Sequence, residues 1–161
     1  MIHAPLTKKD KRQIRYTYAK LETLKAVIAA VRLKMEMAAL QMNDAYLKRS
    51  ILTFVAETAP CETELKKKIE SLAHVFPATD LNFVKKDLND DLLFDNPFAC
   101  AQYYEKETIL AFRDLLNDYE IIPEIRNNLQ AHLNEMLYAY LKIKLLNNFS
   151  IKELSGQRTL F

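Results

Sequence analysis

Glycine is almost absent from this sequence: Gly156, near the C-terminus, is the only one. Phosphate cradles and dinucleotide fingerprints need several glycines for close backbone approach, so both are excluded. Hairpin turns that require positive φ lose their usual residue as well. Cysteine is scarce too. Cys61 and Cys100 fit neither a metal-binding spacing nor a disulfide framework, and two buried thiols in a reducing compartment are the expectation. Histidine occurs three times, at His3, His74 and His132, on separate elements. No Ser-His-Asp or Cys-His arrangement can be drawn from them, and no catalytic residue is assigned.

Charge of one sign is missing as well. The balance of 23 Lys and Arg against 21 Asp and Glu leaves a net charge of +2, which demands neither nucleic acid nor an acidic partner. The basic runs, Lys8-Lys9 with Lys11-Arg12 and Lys66-Lys67-Lys68, are short and are not interleaved with base-stacking aromatics. They read as solvated helix faces, and no nucleic acid is expected as a partner. The N-terminus has no apolar secretion segment, and no apolar run spans a bilayer. A cytoplasmic protein without a membrane partner is therefore expected.

Long uninterrupted periodic runs are what the chain has instead. Over residues 14–45, Ile14, Leu21, Ile28, Met35 and Met42 recur every seven residues. Thr17, Leu24, Val31, Ala38 and Ala45 follow three residues behind, and all but Thr17 are apolar. Such a seam on a helix some 50 Å long, at about 1.5 Å per residue, needs other long helices as neighbours. The spacing predicts one helix over 7–42, with Thr7 as its cap and Asp10 as the capping-box partner. A second helix is predicted over 44–75, with Leu47, Ile51, Phe54, Thr58, Cys61, Leu65, Ile69 and Leu72 as its stripe. Pro60 lies inside it and predicts a kink near Thr58 or a break into two helices. Residues 76–96 form a long connection, in which 80–88 reads as a short helix packing Leu81, Phe83 and Val84 on the bundle. A third helix over 97–119 and a fourth over 123–147 follow, and 148–161 reads as a frayed tail or short docking helix. Met35, Met37 and Met42 read as core filling. The fold class is all-α: a single domain over 1–161, in which two helical hairpins over about 7–147 make a four-helix bundle.

In the second hairpin, Glu105-Lys106-Glu107-Thr108-Ile109-Leu110-Ala111-Phe112-Arg113 is followed by Pro123-Glu124-Ile125-Arg126 and a polar-faced helix. The first hairpin contributes Glu57, Glu64-Leu65 and Ile69. Over about residues 14–145 the chain resembles an uncharacterised ferritin-like family of bacterial four-helix-bundle proteins, grouped with ferritins and rubrerythrins. The resemblance implies the bundle fold and no known reaction. Metal sites in such bundles use inward carboxylates and Glu-x-x-His on two helices. No glutamate here has a histidine three residues later. The nearest approximations are Glu70 with His74 and, in reverse order, His132 with Glu135. The family's histidine position falls on Tyr140.

Four residues remain as candidate ligands for iron, manganese or another divalent metal. Glu105 lies on the stripe of the third helix. A buried carboxylate must pair, bind metal or be protonated, and a Lys or Tyr of another helix is the expected partner. The hydroxyls of Tyr103, Tyr104, Tyr138 and Tyr140 are the candidates for a hydrogen-bond network around it. Glu57 flanks its stripe one turn before Cys61. Glu36 lies beside Met35 but off the seam. His132 borders the stripe of the fourth helix, from which Glu135 projects away. The resulting expectation is a non-catalytic structural or interaction protein that self-associates or holds a partner protein. The alternative is a metal-binding, stress-related protein with a degenerate carboxylate site.

Overall fold

The computed structural model describes residues 5–75 and 96–159, with side chains up to residue 148. The described residues form four α-helices and no strand: α1 Lys8–Leu40, α2 Ala45–Ala73, α3 Pro97–Leu116 and α4 Pro123–Thr159. The expected helix over 80–88 lies outside them.

Side-chain caps start three of the helices. The Thr7 hydroxyl accepts the Asp10 N–H at 3.0 Å, and the Asp10 carboxylate accepts the Thr7 N–H at 3.2 Å. These reciprocal bonds satisfy two donors that the first turn of α1 would leave open. Asp44 caps α2 by accepting from Tyr46 and Leu47 at 2.9 and 3.1 Å. Asn96 caps α3 by accepting from Ala99 at 2.8 Å, with Pro97 in the first turn, where its missing N–H costs nothing.

Two helix ends and the passage through Pro60 bear on the sequence reading. α3 ends at Leu116 rather than 119. The Asp118 side chain accepts the Glu120 N–H at 3.0 Å, a local bond that competes with helix continuation and puts Tyr119 in the turn. α4 does not stop at 147; it continues to Thr159, so residues 148–159 are not a frayed tail. No proline follows Pro123, and Gly156 costs a helix only about 1 kcal/mol relative to alanine. α2 runs unbroken through Pro60, so the two-helix alternative does not hold. In the preceding turn, Arg32 of α1 donates to the Val55 carbonyl from Nε at 3.2 Å and Nη2 at 2.8 Å. The Thr58 hydroxyl donates to the Phe54 carbonyl at 2.9 Å. Side chains thus hold the backbone together beside the residue that cannot donate.

α1 packs against α2 and α3, and α4 packs against the same two helices. Neighbours run antiparallel. Arg32 near the end of α1 meets Val55 in α2, Lys20 near its start meets Asp114 late in α3, and Glu57 of α2 meets Lys142 of α4. Val75 and Asn96 therefore fall at opposite ends of the bundle, and residues 76–95 connect those ends.

The core follows the predicted seams. Leu21, Leu24, Ile28, Val31 and Met35 are buried from α1, and they meet Phe54 and Leu65, Phe112 and Leu115, and Leu129 and Met136 from the other helices. Thr17, the one polar residue of the first seam, is fully buried. Its hydroxyl accepts the Ile122 N–H at 3.2 Å and so pins the α3–α4 turn to α1. Met37 is a correction: it is 46% exposed and faces away from the core that Met35 enters. Two residues along a helix turn a side chain by about 200°, to the opposite face.

Candidate functional site

A polar constellation lies between α3 and α4, at the rim of a cavity of about 560 Å³. Its lining includes Glu105, Lys144, Gln102, Asn96, Asn147 and Tyr140. Deepest are Thr108 and Tyr140, both buried. The Thr108 hydroxyl donates to the carbonyl of Tyr104, one turn earlier, at 2.7 Å. Its proton is thereby committed, so the Tyr140 hydroxyl donates to the Thr108 oxygen across 3.0 Å. Phe54 of α2 closes the other side, its ring centroid 4.6 Å from that of Tyr140. Burial pushes the Tyr140 phenol above its ordinary range, so it is neither an acid nor a base near neutrality.

Glu105 lies three residues before Thr108, and Lys144 four residues after Tyr140. The hairpin register that joins Thr108 to Tyr140 therefore brings Glu105 beside Lys144 one turn further on. The two form an ion pair in which the carboxylate side chain is 12% exposed and the lysine 52%. Low exposure leaves the carboxylate dependent on its partner. The expected lysine of another helix is thus found. Among the four candidate tyrosines, Tyr140 is taken by Thr108, and Tyr138 stands exposed with the Lys142 ammonium 4.9 Å from its ring centroid.

The other metal candidates stand apart from this pair. Glu57 accepts both its contacts from Lys142 at 2.9 Å, on the opposite side of α4. Glu36 is exposed on α1. His132 faces α2, where Lys68 and Glu64 act on it. Burial holds its pKa below the ordinary imidazole value, and Lys68 lowers it further. Its Nδ1 is buried and has no hydrogen-bond partner among the described residues. The Glu135 carboxylate approaches to 3.8 Å, outside hydrogen-bond reach but nearer than a residue projecting off the stripe should come.

A divalent ion needs several carboxylate or imidazole donors at about 2.0–2.2 Å. Among the described residues, no three His, Cys, Asp or Glu side chains are grouped to hold one. Glu105, and separately the exposed Glu57, each face a lysine ammonium instead. The described residues do not fit a di-metal centre.

Burial raises both thiols, Cys61 to about 12 and Cys100 to about 11, which leaves them protonated and inert near neutrality. Sequence reasoning missed Lys142 and Lys144 as partners of the two carboxylates. The antiparallel register of α4 against its neighbours was the signal that could have found them. Compared with protein-family models, curated proteins and solved structures, the chain finds no match. Fold and site together define, among the described residues, an all-α four-helix bundle in which the one little-exposed carboxylate of the site, Glu105, is paired with a lysine. Among the described residues, no helix is long and apolar enough to cross a membrane.

Proposed function

We propose that the chain is a ferritin-like bundle that acts through its surface, by self-association along the outer face of α1, rather than by catalysis. The ferritin-like reading is supported by the ends of α2 and α3. A connection from one end of the bundle to the other is the single long crossover that distinguishes ferritin-like bundles from up-and-down ones.

One observation carries the functional reading. Leu33, Met37 and Leu40 are 55%, 46% and 61% exposed, and they recur at spacings of four and three on the face of α1 opposite its core. Ala26 and Ala30, both half-buried and Ala30 also packed against the core, continue the same spacing toward the N-terminus. Single exposed apolar side chains are ordinary, but a heptad-spaced row of them on one helix is the seam of a helix pair. Small residues at one end and long ones at the other let a second helix approach closely. A second copy of α1 supplies a matching row with two-fold symmetry.

Size-exclusion chromatography with light scattering tests this. The wild-type chain is expected at twice its 18.8 kDa mass, and Leu33→Lys/Leu40→Lys at that single mass with unchanged helicity. A wild-type monomer at about 100 μM, weaker than any useful self-association, would end the reading.

A further inference from the structure

The bundle end opposite the Leu33–Leu40 row carries a second surface. The first turns of α1 hold Lys8, Lys9, Lys11, Arg12 and Arg15, all exposed, with Asp10 as the one acidic residue among them. Asp10 is committed to capping Thr7. No ion pair joins Lys9 or Arg12 to another described residue. These cations lie next to residues distant in sequence, because the Tyr16 hydroxyl donates to Asp118 and the Thr17 hydroxyl accepts from Ile122. Those bonds bring the α3–α4 turn against the start of α1. Between the two lies a cavity of about 520 Å³, lined by Lys9, Arg12, Gln13, Tyr16, Tyr119 and Glu120.

Tyr119 is the decisive residue. It is 87% exposed, the most exposed of the large apolar and aromatic side chains described. The guanidinium of Arg126 sits 5.2 Å from its ring centroid and steadies the ring. Arg126 is fixed in turn by donating to the Asp118 carbonyl at 3.3 Å. A positioned ring with an open face, beside two cations that form no ion pair with another described residue, is the arrangement that binds a base by stacking and its phosphate by charge. The cations also extend beyond a single phosphate. Lys8 and Arg12 recur at i and i+4, a track of about 6 Å at 1.5 Å per residue. An acidic peptide would use the cations but leave the exposed ring without a partner.

We propose that this surface binds single-stranded nucleic acid, with a base on Tyr119 and successive phosphates along Lys9, Arg12 and the basic face of α1. Lack of interleaved aromatics in the basic run argued against such a partner in the sequence. The fold supplies the aromatic from the α3–α4 turn. Glu120 opposes the phosphate at the rim, so its removal strengthens binding. The surface shares no residue with the outer row of α1, and the two proposals fail separately.

Fluorescence polarisation of a labelled 15-nucleotide oligo-dT, titrated with the full chain at about 50 and 200 mM salt, tests the proposal. Binding is expected to weaken with salt. Tyr119→Ala is expected to weaken it roughly 5- to 150-fold, as loss of one stacked base does, while Tyr119→Phe keeps it. Lys9→Gln/Arg12→Gln is expected to flatten the salt slope by about 1.4, two phosphate contacts at about 0.7 each. Glu120→Gln is expected to tighten binding. All four changes lie at exposed or cavity-rim positions, and circular dichroism checks that each variant is folded. No polarisation change at about 50 mM salt overturns the proposal. So does an unchanged affinity for Tyr119→Ala, or competition by polyglutamate as effective as that by unlabelled oligonucleotide.

Discussion

Removing the Lys144 ammonium tests whether the inner carboxylate of the bundle depends on it. In Lys144→Met the methionine keeps the aliphatic stem, and Glu105 loses its partner while remaining 12% exposed. A polar group left unpaired with so little access to water costs about 1–3 kcal/mol. The reverse change is milder. In Glu105→Gln the lysine is left alone, but it is already 52% exposed and turns into solvent. Its loss is that of a surface pair, about 0–1 kcal/mol. Glu105→Leu/Lys144→Met removes both charges and is expected to return close to wild type, as replacement of a buried pair by apolar residues often does. Urea unfolding followed by far-UV circular dichroism gives the three values. For a chain of this size each kcal/mol moves Tm by about 2–4 °C, so Lys144→Met is expected to melt roughly 2–12 °C lower. Equal losses in the two single variants, or a double variant as unstable as Lys144→Met, would refute the burial asymmetry on which the reasoning stands.

Two further outcomes follow from buried titratable groups. Burial depresses the pKa of His132 in the fold, so between that value and the ordinary 6.5 the unfolded chain binds the extra proton. The contribution of His132 to stability is therefore complete above about pH 6.5 and is lost as pH falls through and below it. Melting curves from pH 8 to 5 should show a decline that His132→Gln flattens, and an equal decline in the variant would remove His132 as its source. Cys61 and Cys100, held protonated by burial, are expected to resist a thiol reagent at pH 8 in the native state and to react fully in urea. Rapid modification of the folded chain would contradict their burial.

Local chemistry made much of the fold legible in advance. The Thr7–Asp10 box and the seven-residue seam of α1 act within a few residues of themselves, so their pattern survives in one dimension. Glu105 was legible as a carboxylate in need of a partner, because its place on the α3 stripe is a periodic fact. Its partner was not, because Lys144 is exposed in its own helix and only the register of the hairpin brings the two together. Met37 was misread by composition, since a methionine next to a seam resembles a methionine in it. Tyr119 was placed on a helix because the short-range bond from Glu120 to Asp118, which ends α3, has no apolar signature. Its meeting with Lys9 and Arg12 across the bundle end is a product of tertiary structure alone.

The outer face of α1 as the contact between two copies is most directly tested by a pyrene label. Met37→Cys gives a reactive thiol on that face, while Cys61 and Cys100 stay unlabelled because they are buried. Two α1 helices paired along the row bring the labels together, and excimer emission that vanishes on dilution is expected. A label on Lys66→Cys, exposed on α2, should give monomer emission only. Monomer emission from labelled Met37→Cys at concentrations where the mass is doubled, or excimer emission from Lys66→Cys instead, would place the contact elsewhere and contradict the account.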